Sequence, residues 1–191
     1  MPGFPARLAV LAALLVACQS QPHAAPTPRP SAAPTPTPLL VVRAPADAVL
    51  AGADVGLPLT ASRDHLTAAE AARDTPNQVL ALETYSGWGW IEASTRTWSG
   101  GGRQASETVL LSVRAEGASR AFEIWAGDAG RAPYAASNCP AAIVGLDECR
   151  IGLAGDRALV VGRLGPEVFR LGTAGLDAPA LAARQAARLA V

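Results

Sequence analysis

Lysine is absent from this 191-residue chain: all sixteen basic residues are arginine, set against sixteen Asp and Glu for a formal net charge of zero. The absence removes Schiff-base chemistry and the phosphate-binding lysine of a P-loop. The balance removes the basic field that holds nucleic acid through counterion release, so no nucleic-acid partner is expected. Histidine is scarce, with only His23 and His65. Zinc would need more Cys and His ligands in one place than the chain supplies, and no other cofactor motif occurs. No Gly-x-Ser-x-Gly nucleophile elbow is present. Long hydrophobic runs are also missing. The longest near the N-terminus, Leu8 to Ala17, has ten residues and as a helix would rise about 15 Å, half the hydrocarbon core of a bilayer.

That short run has a meaning of its own. Preceded by Arg7 and ending in a small residue, Ala17, it has the layout of an export signal rather than a spanning anchor. It ends in Leu15-Val16-Ala17-Cys18, which resembles the bacterial lipobox. The resemblance implies a signal peptide over 1–17 and a Cys18 that becomes the lipid-modified N-terminus, with acyl chains of the palmitate type. Several chains anchor stably where one would not, at about 0.8 kcal/mol per buried CH₂.

Pro22, Pro26, Pro28, Pro30, Pro34, Pro36 and Pro38 follow, separated by Ala, Thr and Ser. Such a stretch buries no apolar surface and favours extended polyproline II, so residues 18–38 are expected to be a disordered stalk. His23 falls within it. Residues 39–191 then hold roughly 150 positions, enough for one domain with one core. With Cys18 committed to lipid, Cys139 and Cys149 remain, and an even remainder in an oxidising compartment implies a disulfide closing a loop of about ten residues. The competing readings are a metal site, which lacks further ligands, and a redox pair, whose Cys-x-x-Cys spacing is not met.

Along the domain, Leu39–Val42 is an apolar run suited to a first strand or packed arm, and Ala46–Leu50 suits a helical turn. Thr67-Ala68-Ala69-Glu70 has the spacing of a capping box and predicts a helix start at Thr67. Pro76 breaks that helix, and a second from Asn77 to about Thr84 would use Val79, Leu80 and Leu82 as its apolar side. Alternation and tryptophan content predict a strand from Trp88 to Trp98. Ser99 to Arg103 forms a turn, and Glu107–Arg114 returns as the second strand of a hairpin. After Gly117, the residues Ala118, Ala121, Phe122 and Trp125 recur at helical spacing. Asp128–Glu148 reads as an irregular excursion. Arg150–Leu153, Arg157–Arg163 and Glu167–Thr173 read as a meander, and Asp177 caps a closing helix. The expected class is α+β, with an antiparallel sheet of about five strands packed with three or four helices in a single domain.

The order of these pieces resembles a recurrent exported bacterial domain. Gly87-Trp88-Gly89-Trp90 leads a strand, and Gly117-Ala118-Ser119-Arg120-Ala121-Phe122 starts a helix. Gly155-Asp156 turns into Val160-Val161-Gly162-Arg163-Leu164-Gly165, and an Ala/Leu/Arg helix closes the chain. This is similar to the small α/β domains of actinobacterial surface lipoproteins and to the extracellular sensor domains of some bacterial serine/threonine kinases. The resemblance lies in spacing and hydrophobic character and assigns no functional residue.

Three constellations bear on chemistry. Ser62-Arg63-Asp64-His65 contains the residue types of a hydrolase triad, but sequence neighbours rarely converge in triad geometry, and a polar connection into the Thr67 cap is expected. Asp147 and Glu148 are expected as solvated loop charges. The aromatic strand is the third. If it is regular, Trp88, Trp90, Arg96 and Trp98 share one face, and with Tyr85 that face either packs under helices or forms a shallow platform. The expectation is a binding or interaction module, lipid-anchored on the extracytoplasmic side of a cell membrane. Its partners would be that membrane and an unidentified envelope glycan, lipid or protein. The alternatives are a small envelope hydrolase using His65 and a structural spacer.

Overall fold

Local chemistry divides the chain into short elements. A computed structural model describes residues 42–191, which lie within one compact unit, Pro38–Val191. The signal segment, Cys18, the stalk and most of the Leu39–Val42 run fall outside the described residues. In chain order the elements are α1 (Pro45–Ala48), α2 (Gly52–Val55), β1 (Leu59–Leu66), α3 (Ala68–Arg73) and α4 (Gln78–Gly87). Then come β2 (Trp90–Gly100), β3 (Arg103–Ser112), α5 (Ala115–Ala129) and β4 (Ala135–Asn138). The chain closes with β5 (Glu148–Ala154), β6 (Arg157–Leu164), β7 (Glu167–Ala174) and α6 (Ala178–Leu189).

The predicted caps are in place. Thr67 Oγ1 accepts from the Glu70 amide at 3.2 Å while a Glu70 carboxylate oxygen accepts from the Thr67 amide at 2.9 Å. These reciprocal bonds satisfy two donors that a helix start otherwise leaves open, and they hold the Glu70 carboxyl below its usual range. Asn77 caps α4 through the Leu80 amide, and Asp177 caps α6 through the Ala180 amide. Gly101 and Gly102 both take positive φ at the β2–β3 turn, the conformation a tight two-residue hairpin loop requires.

The strands form one antiparallel sheet in the order β1-β2-β3-β7-β6-β5-β4. Seven strands replace the expected five or so, and the two unforeseen ones are its edges. The Ser62–His65 segment, expected as a connection, belongs to β1, whose first seven residues are exposed and polar enough to hide the strand pattern. Strand β4 lies inside the expected irregular excursion. Its pairing with β5 precedes the Cys139–Cys149 disulfide, whose Cα atoms are 5.8 Å apart.

Helices cover both faces of the sheet. On one side Leu50, Trp98, Phe169, Leu171, Leu181 and Leu189 form a core from α1, the sheet and α6. On the other Leu66, Trp88, Leu110, Phe122, Leu159 and Val161 form a second core with α5. Central β6 is therefore buried continuously from Ala158 to Gly162, as a strand covered on both faces should be. Helix α5 begins two residues before Gly117 and includes it. A Cβ at that position would overlap the carbonyl oxygen of Trp88, so glycine lets the helix lie close to the chain entering β2.

One helix departs from expectation in how it packs. The apolar residues of α4 face solvent, with Val79 at 71% and Leu80 at 57% exposure, and none of its residues is fully buried. Tyr85, near its C-terminal end, is the side chain that joins the α5-side core.

Candidate functional site

Strand β2 has an irregularity that decides where its tryptophans point. Trp90 pairs with Ser112 and Glu92 with Leu111, so two steps on β2 match one on β3 and Ile91 is the extra residue of a β-bulge. A bulge shifts the alternation by one residue. The expected common face of Trp88, Trp90, Arg96 and Trp98 is thereby divided. Trp88 and Trp90 lie on the α5 side, whereas Trp98 is fully buried in the α6-side core. Arg96, also on the α6 side, pairs with Asp64, and that hydrogen bond holds the Asp64 carboxyl below its usual range.

On the α5 side the aromatic groups converge. Tyr85 lies 5.1 Å from Trp88 and 4.7 Å from Trp90 between ring centroids, and Trp88 stacks on Trp90 at 6.4 Å. Trp125, contributed by α5, meets Trp88 edge-on at 6.0 Å. Trp90 Nε1 donates to the Leu66 carbonyl at 2.9 Å, which fixes its ring while leaving part of it accessible. Such tilted and edge-on pairs add stabilisation beyond the area they bury, on the order of 1 kcal/mol each.

These rings wall a pocket of about 190 Å³. Ala71, Tyr85 and Trp125 line it from the helices, while Leu66, Ala93, Thr95 and Thr108 line it from the sheet. Arg63, Asp74 and Arg170 supply its charge. Arg63 pairs with Asp74, and Arg170 lies 3.4 Å from Asp128. Burial, helped by the nearby Asp74 charge, raises the Tyr85 phenol above its usual range, so it remains a neutral hydroxyl. The arrangement of three aromatic walls, an apolar corner and a few polar groups suits binding more than chemistry.

Of the residues singled out in the sequence, Tyr85 and Trp90 reach this pocket, Trp88 backs it, and Arg96 and Trp98 do not enter it. The last two line a separate hollow of about 270 Å³ on the α6 side, with Leu50, Leu59 and Arg188. Trp125, Arg63 and Arg170 are additions. Trp125 carries a helical signal that places it on a buried face, and only the fold brings it to the same pocket as Tyr85.

His65 adopts a left-handed backbone conformation at a second irregularity, where β1 departs from its register with β2. Its side chain is 71% exposed, with Nδ1 3.2 Å from Glu92 Oε2. The group facing its ring nitrogen is thus a carboxylate, and no hydroxyl or thiol nucleophile bonds to it among the described residues. Asp147 and Glu148, expected as solvated charges, instead clamp Arg163: its Nη1 bonds Asp147 at 3.0 Å and its Nε bonds Glu148. Among the described residues no group of three or more His, Cys, Asp or Glu is placed to hold a metal ion. No helix of the described residues is long and apolar enough to cross a membrane.

No family model matches the chain, and no curated protein does. Among solved structures, the extracellular domain of PknH from Mycobacterium tuberculosis is similar, with a TM-score of 0.49 and 11% identity over 79% of this chain and 96% of that one.

Proposed function

We propose that this chain is an extracytoplasmic binding module, tethered by lipid on Cys18, and that the pocket walled by Tyr85, Trp90 and Trp125 seats its ligand. The observation that carries the reading is the convergence of three partly accessible aromatic rings from separate elements around one opening. Rings held this way present large rigid surface at little entropic cost, and residues of this type dominate binding energetics. Export is supported by the apolar run with its lipobox-like end. The Cys139–Cys149 disulfide supports it independently, because such bonds persist in oxidising compartments.

The test is tryptophan emission of the full chain in detergent, titrated with soluble cell-wall fragments. A saturable change in emission that disappears in Trp125→Ala is expected. Saturable binding that Trp125→Ala and Tyr85→Ala leave intact would place the ligand elsewhere.

A further inference from the structure

We infer that the aromatic pocket is one end of a longer groove that takes an acidic glycan chain; the inference rests on the pocket being the ligand seat. Two further hollows, each of about 250 Å³, continue along the same face of the sheet. The first shares Thr108 and Arg170 with the aromatic pocket, and the second shares Ser106 and Gly172 with the first. The three therefore form one continuous depression ending at Arg157.

Register explains its lining. Arg63, Thr95, Thr108 and Arg170 are successive cross-strand partners on β1, β2, β3 and β7, so they form one row across the sheet. Thr97, Ser106 and Gly172 form the next row, and Gln104, Ala174 and Arg157 the one beyond. Hydroxyls and a glycine thus make the floor. Arg63 and Arg170, paired with Asp74 and Asp128, stand at the aromatic end and Arg157 at the other, and neither of the two further hollows is lined by a carboxylate.

Each part of this surface selects for a ligand property. Guanidinium groups bind carboxylate or phosphate in fork geometry, which calls for an anionic ligand. Arg157 has no carboxylate partner among the described residues and is available for that role. Rows of Ser and Thr hydroxyls donate and accept, which suits a polyhydroxylated chain. The rows bearing Arg170 and Arg157 are four residues apart along the strands, about 13 Å, so one small anion cannot span them, whereas an extended polymer can. The aromatic rings at one end offer a face on which a sugar ring can stack. The groove is concave, which disfavours the flat surface of a bilayer, and the balanced charge of the chain disfavours nucleic acid.

The experiment uses the full chain in detergent with three probes: a galacturonic acid hexamer, a neutral glucose hexamer and phosphatidylglycerol vesicles. The acidic hexamer is expected to bind, to bind more weakly as salt is raised, and to lose about tenfold in affinity in Arg157→Gln. Arg157 is exposed at the start of β6 and makes no side-chain hydrogen bond among the described residues, so this variant should fold. Arg103→Gln, whose strand position points away from the groove, should bind like the parent. Equal binding of both hexamers, or an Arg157→Gln variant that binds the acidic one undiminished, would overturn the acidic-glycan inference. Tighter binding to the vesicles, lost in Arg157→Gln, would overturn it in favour of a lipid headgroup. If neither hexamer binds, the inference fails, and cell-wall fragments that still change tryptophan emission in a Trp125-dependent way would leave the pocket reading standing.

Discussion

Glu107 on β3 accepts a 2.8 Å hydrogen bond from the amide of Leu50, 57 positions earlier in the chain. The bond fastens the segment after α1 to the middle of the sheet, but the carboxyl is fully buried and its other oxygen has no partner among the described residues. Burial outweighs the Leu50 amide and raises the Glu107 carboxyl from 4.5 to about 8. Glu167, also fully buried, is raised from 4.5 to about 7 for the same reason.

Stability is therefore expected to fall as pH rises. Between pH 4.5 and the raised folded values, the native state keeps protons that the unfolded chain has released, so each group weakens the fold by about 1.4 kcal/mol per pH unit. Glu107 acts over roughly 4.5 to 8 and Glu167 over roughly 4.5 to 7. Glu107→Gln retains an acceptor for Leu50 and removes the larger contribution. Urea unfolding at pH 5 and pH 8 should show a smaller loss for the variant than for the parent, and equal losses would place the pH dependence elsewhere.

Two glycines of α5 should respond in opposite directions to alanine. Gly117→Ala drives a methyl group into the Trp88 carbonyl, a backbone atom that cannot rotate away, and should cost about 2 kcal/mol or more. Gly127 lies in the same helix with nothing within 4 Å of the place its methyl group would occupy, so Gly127→Ala should stabilise by up to about 1 kcal/mol through helix propensity. Thermal melts of the two variants separate the steric effect from the conformational one. Similar shifts of the same sign would contradict the close approach of α5 to Trp88.

The disulfide closes a short loop, with a sequence separation of 10, and both cysteines pack at the margin of the α6-side core. In the chain-entropy account, removing a cross-link of this length costs about 3 kcal/mol. Cys139→Ala with Cys149→Ala should lower urea stability by about that amount, and exchange of amide hydrogens should rise first in β4 and the 139–149 loop. Unchanged protection there would mean that the pairing of β4 with β5 holds the segment without the bond.

The features legible in the sequence are those whose causes are local. The Thr67–Glu70 capping box, the glycine turn at 101–102, the meander from Arg150 onward and the Asp177 cap each depend on residues a few positions apart. Edge strand β1 is hidden because an edge needs no second buried face, so its polar Ser62–His65 segment looks like a loop. The exposed apolar residues of α4 mislead in the other direction, since periodicity gives the side a helix offers and not whether another element covers it. The candidate pocket is half legible. Tyr85 and Trp90 stand out, but their convergence with Trp125, Arg63 and Arg170 depends on strand order and on a bulge that only the partner strand reveals.

That bulge yields the sharpest test of the site. Ile91 is about half exposed and contributes little burial, so its identity matters less than its presence in the chain. Ile91→Thr keeps a β-branched residue at the same place and should change stability by no more than about 1 kcal/mol. Deleting Ile91 removes the extra residue, so Trp90 and Trp98 become seven positions apart and strict alternation keeps them on opposite faces, with Trp90 still paired to Ser112 and Glu92 to Leu111. Trp90 can then stay with Tyr85, and Trp98 can stay in the α6-side core. The deletion should therefore fold with near-parental tryptophan emission, and Ile91→Thr should retain near-parental circular dichroism and cell-wall-fragment titration. A deletion variant that fails to fold, or that loses a tryptophan from its packing at a cost of about 3–5 kcal/mol, would show that Ile91 is not simply an inserted residue.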